Sequence, residues 1–135
     1  MTRSPIATLW YTALLIVASV VLSGGQQSER AGQPDANALL EAGLFGQGEA
    51  RARADVDALR ASYGDDSQEV ATASDVLVRA LVLNGRAARE DTLTLARQTL
   101  RIKEAHVGTE RIELVPSLLN LCDVLSAARH RKRNM

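Results

Sequence analysis

The chain has 135 residues, of which 16 are basic, 16 are acidic and only 3% are aromatic. This length allows one domain, and the scarcity of aromatic residues argues against a large pocket built from aromatic rings. From about residue 36 onward the chain is dominated by Ala, Leu, Arg and Glu, which lose little conformational freedom on entering a helix. No strand or hairpin pattern stands out. The composition therefore predicts an all-α fold.

The first 25 residues are predicted to be a signal peptide or a membrane anchor. An uncharged apolar run, residues 6–22, follows Arg3, and the small residues Ser23 and Gly25 suit cleavage by a signal peptidase. The run is marginal in length for crossing a bilayer. Export to the periplasm or the extracellular space is favoured, and an uncleaved anchor in the membrane is the alternative. A buried soluble helix is disfavoured because the run has no polar face.

Residues 26–37 are predicted to be a flexible linker, because the segment is polar and contains Pro34. Cys122 is the only cysteine in the chain, so no disulfide can form within one chain. The domain after the linker must therefore be held together by packing alone, which suits a helical fold.

From residue 38 onward the chain resembles itself. At a shift of 44 residues, small, apolar and glycine positions coincide, with Ala52 on Ala96, Val56 on Leu100, Tyr63 on Val107, Gly64 on Gly108, Leu77 on Leu121 and Leu81 on Leu125. Residues 38–43 match residues 80–85, which end at Gly85, at a shift of 42. A period of about 40 residues is typical of a helical solenoid, in which each repeat packs on the next.

Hydrophobic spacing places two helices, A and B, in each repeat. In the second repeat, residues 69–83 form helix A, and an apolar pattern from Leu93 to Ile102 forms helix B, which Gly108 ends. The first repeat has a weak helix A in residues 35–42 and a helix B that ends at Gly64. The fold predicted for residues 38–129 is a short α-solenoid of stacked helix-turn-helix repeats, about two and a half units long.

The third repeat shows only a helix A. Its apolar stripe is Leu114, Leu118, Leu121 and Leu125. Pro116 fits the first turn, where its missing N–H has no partner to lose. Cys122 lies beside this stripe and is interpreted as a small buried hydrophobic residue.

The stretch "TLRIKEAHVGTERIELVPSLLNLCDVL" resembles the tetratricopeptide repeat, in the roughly 42-residue form found in kinesin light chains and many bacterial proteins. The positions that carry the resemblance are Leu100, Ile102, Lys103, Glu104, Gly108, Ser117, Leu118, Asn120 and Leu121. The resemblance implies a superhelix in which the A helices line a concave face that binds a peptide or a partner helix. It therefore implies a non-catalytic scaffold for protein–protein interaction.

Three residues are the implied contacts of that concave face. Asn120 matches a family asparagine that contacts the backbone of a ligand, Asp123 lies one turn further, and Arg79 is its equivalent one repeat earlier. Each has a second interpretation, because Asn120 can hydrogen-bond within the helix stack and the two charged residues can simply be solvated.

Catalytic and cofactor sites are not indicated. His106 and His130 lack a helical partner at a metal-ligand spacing, and no glycine-rich phosphate loop follows a strand, so neither a metal nor a nucleotide cofactor is expected. The acidic pairs at residues 65–66 and 90–91 lie at inferred turns, where carboxylates cap helices. We expect a protein that is not an enzyme.

Residues 130–135 form a basic tail, and no acid follows Asp123. Cations also suit a helix C-terminus, so no nucleic-acid partner is expected. Because the last repeat lacks its helix B, the chain is expected to be the opening segment of a longer repeat protein, a degenerate remnant of one, or a subunit that self-associates through its last helix. The alternative function is therefore an N-terminal accessory or regulatory region of a larger signalling or hydrolytic protein cut at Met135.

Overall fold

The computed structural model describes residues 34–135. The helices are α1 (Ala36–Glu41), α2 (Phe45–Tyr63), α3 (Gln68–Leu83), α4 (Glu90–Val107) and α5 (Val115–Arg133), with a 3-10 turn at Ile112–Leu114 before α5. No strand occurs in this part of the chain. The predicted all-α fold is confirmed.

The predicted signal or anchor, and most of the predicted linker, lie outside the described residues. Of the helices within residues 34–135, none combines the length and the apolar character needed to cross a membrane. The last two linker residues, 36 and 37, instead open α1, because Asp35 caps that helix: its carboxylate accepts the N–H of Ala38 at 2.8 Å. At the other end, α5 continues into the predicted basic tail as far as Arg133.

The helices are arranged as two pairs followed by a single helix. α1 packs on α2, and α3 packs on α4. α3 also packs on both helices of the first pair, and α5 packs on both helices of the second. The same contacts therefore recur from one repeat to the next, which is the stacking that the internal self-similarity predicts.

The turn inside each pair has the same geometry. Gly43 and Gly85 have φ angles of 76° and 75°. The N–H of the next residue bonds back across the turn in both, from Leu44 to the carbonyl of Leu39 at 2.9 Å and from Arg86 to the carbonyl of Leu81 at 2.8 Å. This is the Schellman ending of a helix, which favours glycine at the left-handed position. The segments that match at a shift of 42 residues in the sequence therefore also share the same backbone turn.

The helices α2 and α4 also end alike. Their C-caps are Gly64, with φ 86° and ψ 165°, and Gly108, with φ 84° and ψ 172°. Glycine is almost the only residue that adopts this region of backbone space. The two glycines, 44 residues apart in the sequence, thus end their helices with the same backbone conformation.

The core consists of two apolar clusters on either side of α3. The first joins α1, α2 and α3 through Ala36, Ala52, Val56, Val70, Leu77 and Leu81. The second joins α3, α4 and α5 through Val78, Leu93, Ala96 and Val124. The predicted stripes on α3 and α4 are confirmed. Tyr63, which continues the α2 stripe in sequence, is 59% exposed at the end of its helix.

The structure corrects part of the predicted face of α5: Leu121 and Leu125 pack against the second apolar cluster, as predicted, but Leu118 does not. Leu114 is buried, but Leu118 is 45% exposed, and the residues fully turned to the core are Ser117, Asn120 and Val124. The interpretation of Cys122 as buried is wrong, because its side chain is exposed. The helix is rotated so that Ser117 and Asn120 hydrogen-bond with α3 while Val124 enters the second apolar cluster.

Candidate binding groove

A groove crosses the first helix of each repeat, α1, α3 and α5, and has a volume of about 520 Å³. Its lining residues are Asn37, Thr72, Asp75, Val76, Arg79, Lys103, Val115, Pro116, Leu119, Asn120 and Asp123. All three predicted contacts, Arg79, Asn120 and Asp123, are among them. We call this surface the A-helix groove.

The A-helix groove combines an apolar surface with charges at its edge. Val76, Val115 and Leu119 supply the apolar part, and Leu119 is 61% exposed. Arg79 and Asp123 are exposed, and neither takes part in an ion pair within residues 34–135. Their charges are therefore available to a ligand.

A buried polar cluster lies against the A-helix groove and is centred on Asp75, which is 6% exposed. Its carboxylate forms an ion pair with the ammonium group of Lys103 and accepts the hydroxyl of Ser117 at 2.8 Å. The side-chain amide of Asn120 donates to the backbone carbonyl of Asp75 at 2.9 Å. We call these four residues the Asp75 cluster.

The Asp75 cluster joins three helices by polar contacts. Asp75 lies on α3, Lys103 on α4, and Ser117 and Asn120 on α5. The Lys103 ammonium group also donates to the carbonyl of Glu113 at 3.2 Å, which ties in the 3-10 turn. Because each charged group has a partner of opposite charge and further hydrogen bonds, the cluster satisfies the condition under which buried charges are tolerated.

The sequence did not predict the Asp75 cluster. Periodicity places Asp75 on the polar edge of α3 with Thr72 and Arg79, and those two residues are indeed exposed. Asp75 is buried because α5 packs against this side of α3. Asn120 hydrogen-bonds within the helix stack, which is the second of the two interpretations given for it above. It also lines the A-helix groove.

A second polar cluster lies away from the A-helix groove, where α2 meets the turn between α3 and α4. Glu49, only 6% exposed, accepts hydrogen bonds from Asn84 at 2.7 Å, Arg86 at 2.7 Å and Arg53 at 3.0 Å. Burial raises the pKa of Glu49, but these hydrogen bonds and the charges of the two arginines outweigh burial, so its pKa lies below the ordinary value.

Glu49 should make stability depend on pH in a defined direction. Because the folded pKa is lowered, the contribution of the carboxylate is present above the ordinary pKa of glutamate and is lost as pH falls through the folded value. We expect Glu49→Gln to be less stable than the native chain at pH 7 and this difference to shrink on acidification below pH ~4. Urea unfolding of both chains at several pH values measures it. Glu41→Gln, at an exposed carboxylate of α1, is the control, and a constant Glu49 difference would contradict the prediction.

The predicted acidic pair at residues 90–91 lies in the first turn of α4, where the carboxylate of Asp91 accepts the N–H of Thr92 at 2.9 Å, whereas no acid caps α3. The cap of α3 is Ser67, whose hydroxyl accepts the N–H of Val70 at 3.2 Å, while Asp65 pairs with Arg60 at 2.5 Å. The N-cap residue of α4 is Arg89, whose side chain makes no capping hydrogen bond. Asp91 also pairs with Arg89 at 3.0 Å, and the hydrogen bond from Arg89 is the main cause of the lowered pKa of Asp91.

The two histidines make local contacts at the surface. The Nε2 atom of His106 lies 2.7 Å from the carbonyl oxygen of Asp66, and the Nδ1 atom of His130 lies 3.1 Å from a guanidinium nitrogen of Arg133. Among residues 34–135, no three His, Cys, Asp or Glu side chains come together as a metal site.

The fold and the groove together define an all-α helical-repeat protein with a surface groove across the first helix of each repeat. Comparison with known protein families, with curated proteins and with solved structures finds no match. The function therefore has to be argued from the groove and its residues.

Proposed function

We propose that this protein is a non-catalytic scaffold of the tetratricopeptide type that binds a peptide or a partner helix in the A-helix groove. One observation carries the proposal. Residues singled out from two successive repeats in the sequence, Arg79 on α3 and Asn120 and Asp123 on α5, line the same groove. A repeat array that uses its A helices for binding requires this convergence.

The size of the A-helix groove suits a short segment of chain. Neighbouring packed helices lie about 8–10 Å apart, so the groove runs about 20 Å from α1 to α5. About six residues of extended chain span that distance. The apolar side chains Val76 and Leu119 provide surface for burial, and the charges of Arg79 and Asp123 fix the orientation of the ligand.

The Asp75 cluster supports a role in binding. Asp75 and Lys103 form a buried ion pair, and they hydrogen-bond to α5 and the 3-10 turn. This buried acid and base therefore hold the walls of the A-helix groove in place.

Peptides selected on the native chain test the proposal. A random peptide library displayed on phage is selected against the full chain, and the affinities of the selected peptides are then measured. We expect Arg79→Glu combined with Asp123→Lys to weaken them at least tenfold, about 1.4 kcal/mol, because both groove charges are reversed. These positions are chosen because they are exposed, whereas Asn120→Ala would also remove the bond to Asp75.

Arg97→Glu is the matched control, since Arg97 is exposed on α4 and does not line the groove. It should leave the affinities unchanged, and all variants should keep the native circular dichroism at 222 nm. Peptides that bind the groove variant as tightly as the native chain would show that the A-helix groove is not the binding surface.

A further inference from the structure

The C-terminal end of α5 carries a cluster of cations. Its exposed basic residues are Arg129, Arg131, Lys132 and Arg133. None of the ion pairs within residues 34–135 includes any of them. No acid follows Asp123 in the sequence, although the chain as a whole has equal numbers of basic and acidic residues. Positive charge is therefore concentrated at this end of the domain.

Arg131 points in a different direction from the other three cations. Its guanidinium group donates to the carbonyl of Ala88 at 3.2 Å, which holds the end of α5 against the turn between α3 and α4. Successive residues of a helix are about 100° apart, so Arg131 lies on the packed side of α5. Arg129, Lys132 and Arg133 fall within an arc of about 100° on the opposite side. We call these three residues the basic face of α5.

The basic face suits an extended anionic surface. Residues 129–135 are all exposed, so the described part of the chain forms no pocket around the three cations that would hold a small anion. Long cationic side chains at a protruding helix end are attracted to a negatively charged surface by charge alone, without a fixed contact geometry. The ligand of this face is therefore a surface that carries many negative charges.

Two observations favour a lipid surface over nucleic acid. Residues 84–135 contain no Trp, Tyr or Phe, so α4 and α5 offer no aromatic ring on which a base could stack. The sequence also carries the uncharged apolar run at residues 6–22, which is predicted to be an export signal or an anchor. Both alternatives bring the chain to a membrane, and export separates it from nucleic acid.

We propose that the basic face of α5 binds the surface of a bilayer that contains anionic phospholipids. Each Lys or Arg close to such a surface strengthens binding about fivefold, so three of them give a preference for anionic lipid on the order of a hundredfold. None of the three lines the A-helix groove, so this proposal and the scaffold proposal can fail separately.

A fluorescent probe at the end of α5 in the full chain tests the proposal. Asn134→Cys in a Cys122→Ser chain carries the fluorophore, and the lipid headgroups carry a quencher that acts only at short range. On vesicles of phosphatidylglycerol and phosphatidylcholine in equal amounts, quenching should be at least tenfold greater than on phosphatidylcholine alone. This difference should disappear in about 1 M NaCl, where the Debye length is about 3 Å. Because the probe reports on the end of α5, the result does not depend on how residues 6–22 contact the bilayer.

Removing the charges of the basic face should abolish the preference. The variant is Arg129→Gln with Lys132→Gln and Arg133→Gln, and its quenching on the mixed vesicles should be at least tenfold lower. Arg131 is left unchanged because it holds the end of α5 in place.

The matched control removes the same number of charges from exposed arginines outside the basic face, as Arg97→Gln with Arg101→Gln and Arg111→Gln. It should be quenched as the native chain is, and all variants should keep the native circular dichroism. Equal quenching of the native chain on both kinds of vesicle, or native quenching of the basic-face variant, would overturn the proposal. If duplex DNA binds the native chain but not the basic-face variant, and the vesicles give no quenching, the partner is nucleic acid and the proposal is wrong.

Discussion

Asp75→Leu is expected to lower the free energy of unfolding by about 3–5 kcal/mol, because it leaves the buried ammonium group of Lys103 without its counter-charge. The same change removes the acceptor of the Ser117 hydroxyl. A domain of this size is stable by only about 5–15 kcal/mol, so the loss is a large part of the total. Urea unfolding followed by circular dichroism measures it.

A double variant separates the unpaired charge from the loss of packing. Asp75→Leu with Lys103→Met replaces both charges by apolar groups of similar size, and it should be more stable than Asp75→Leu alone. Asp123→Leu, at an exposed carboxylate of α5, should stay within about 0.5 kcal/mol of the native chain. If adding Lys103→Met brings no recovery, the ion pair does not determine the stability of this junction.

Leu114→Ala is expected to cost about 2–5 kcal/mol, because its side chain is 2% exposed and its removal leaves a cavity where the 3-10 turn meets α5. Leu119→Ala is the matched control on the opposite side, at 61% exposure, and should change stability by less than about 0.5 kcal/mol. The measurement is urea unfolding followed by circular dichroism.

A further variant, Leu118→Ala, compared with Leu114→Ala, tests the rotation of α5. The leucine stripe predicted from the sequence would make Leu118→Ala as costly as Leu114→Ala, since both belong to it. The structure, in which Leu118 is 45% exposed, predicts a clearly smaller loss for Leu118→Ala. Equal losses at the two positions would contradict the observed orientation of the helix.

Much of the architecture followed from local patterns. The turns at Gly85 and Gly108 are predicted by the helix that precedes each of them, because a helix commonly ends in a left-handed or otherwise glycine-favouring conformation. The apolar spacing of α3 and α4 likewise depends only on 3.6-residue periodicity. Arg79 and Asp123 were placed on one surface by the repeat register, and the structure brings both to the A-helix groove.

The sequence by itself determined the helical fold, the glycine turns and the apolar character of residues 6–22, because each depends on residues close together along the chain, and comparing such segments with one another gave the period of the repeat. Only the tertiary structure decided that Asp75 and Lys103 form a buried pair and that Cys122 and Leu118 face outward. Those outcomes depend on which side of α5 meets α3 and α4. On that side, Val124 packs against Val78 and Ala96, and Ser117 and Asn120 hydrogen-bond to Asp75, more than 40 residues earlier in the chain, and no local pattern records such contacts.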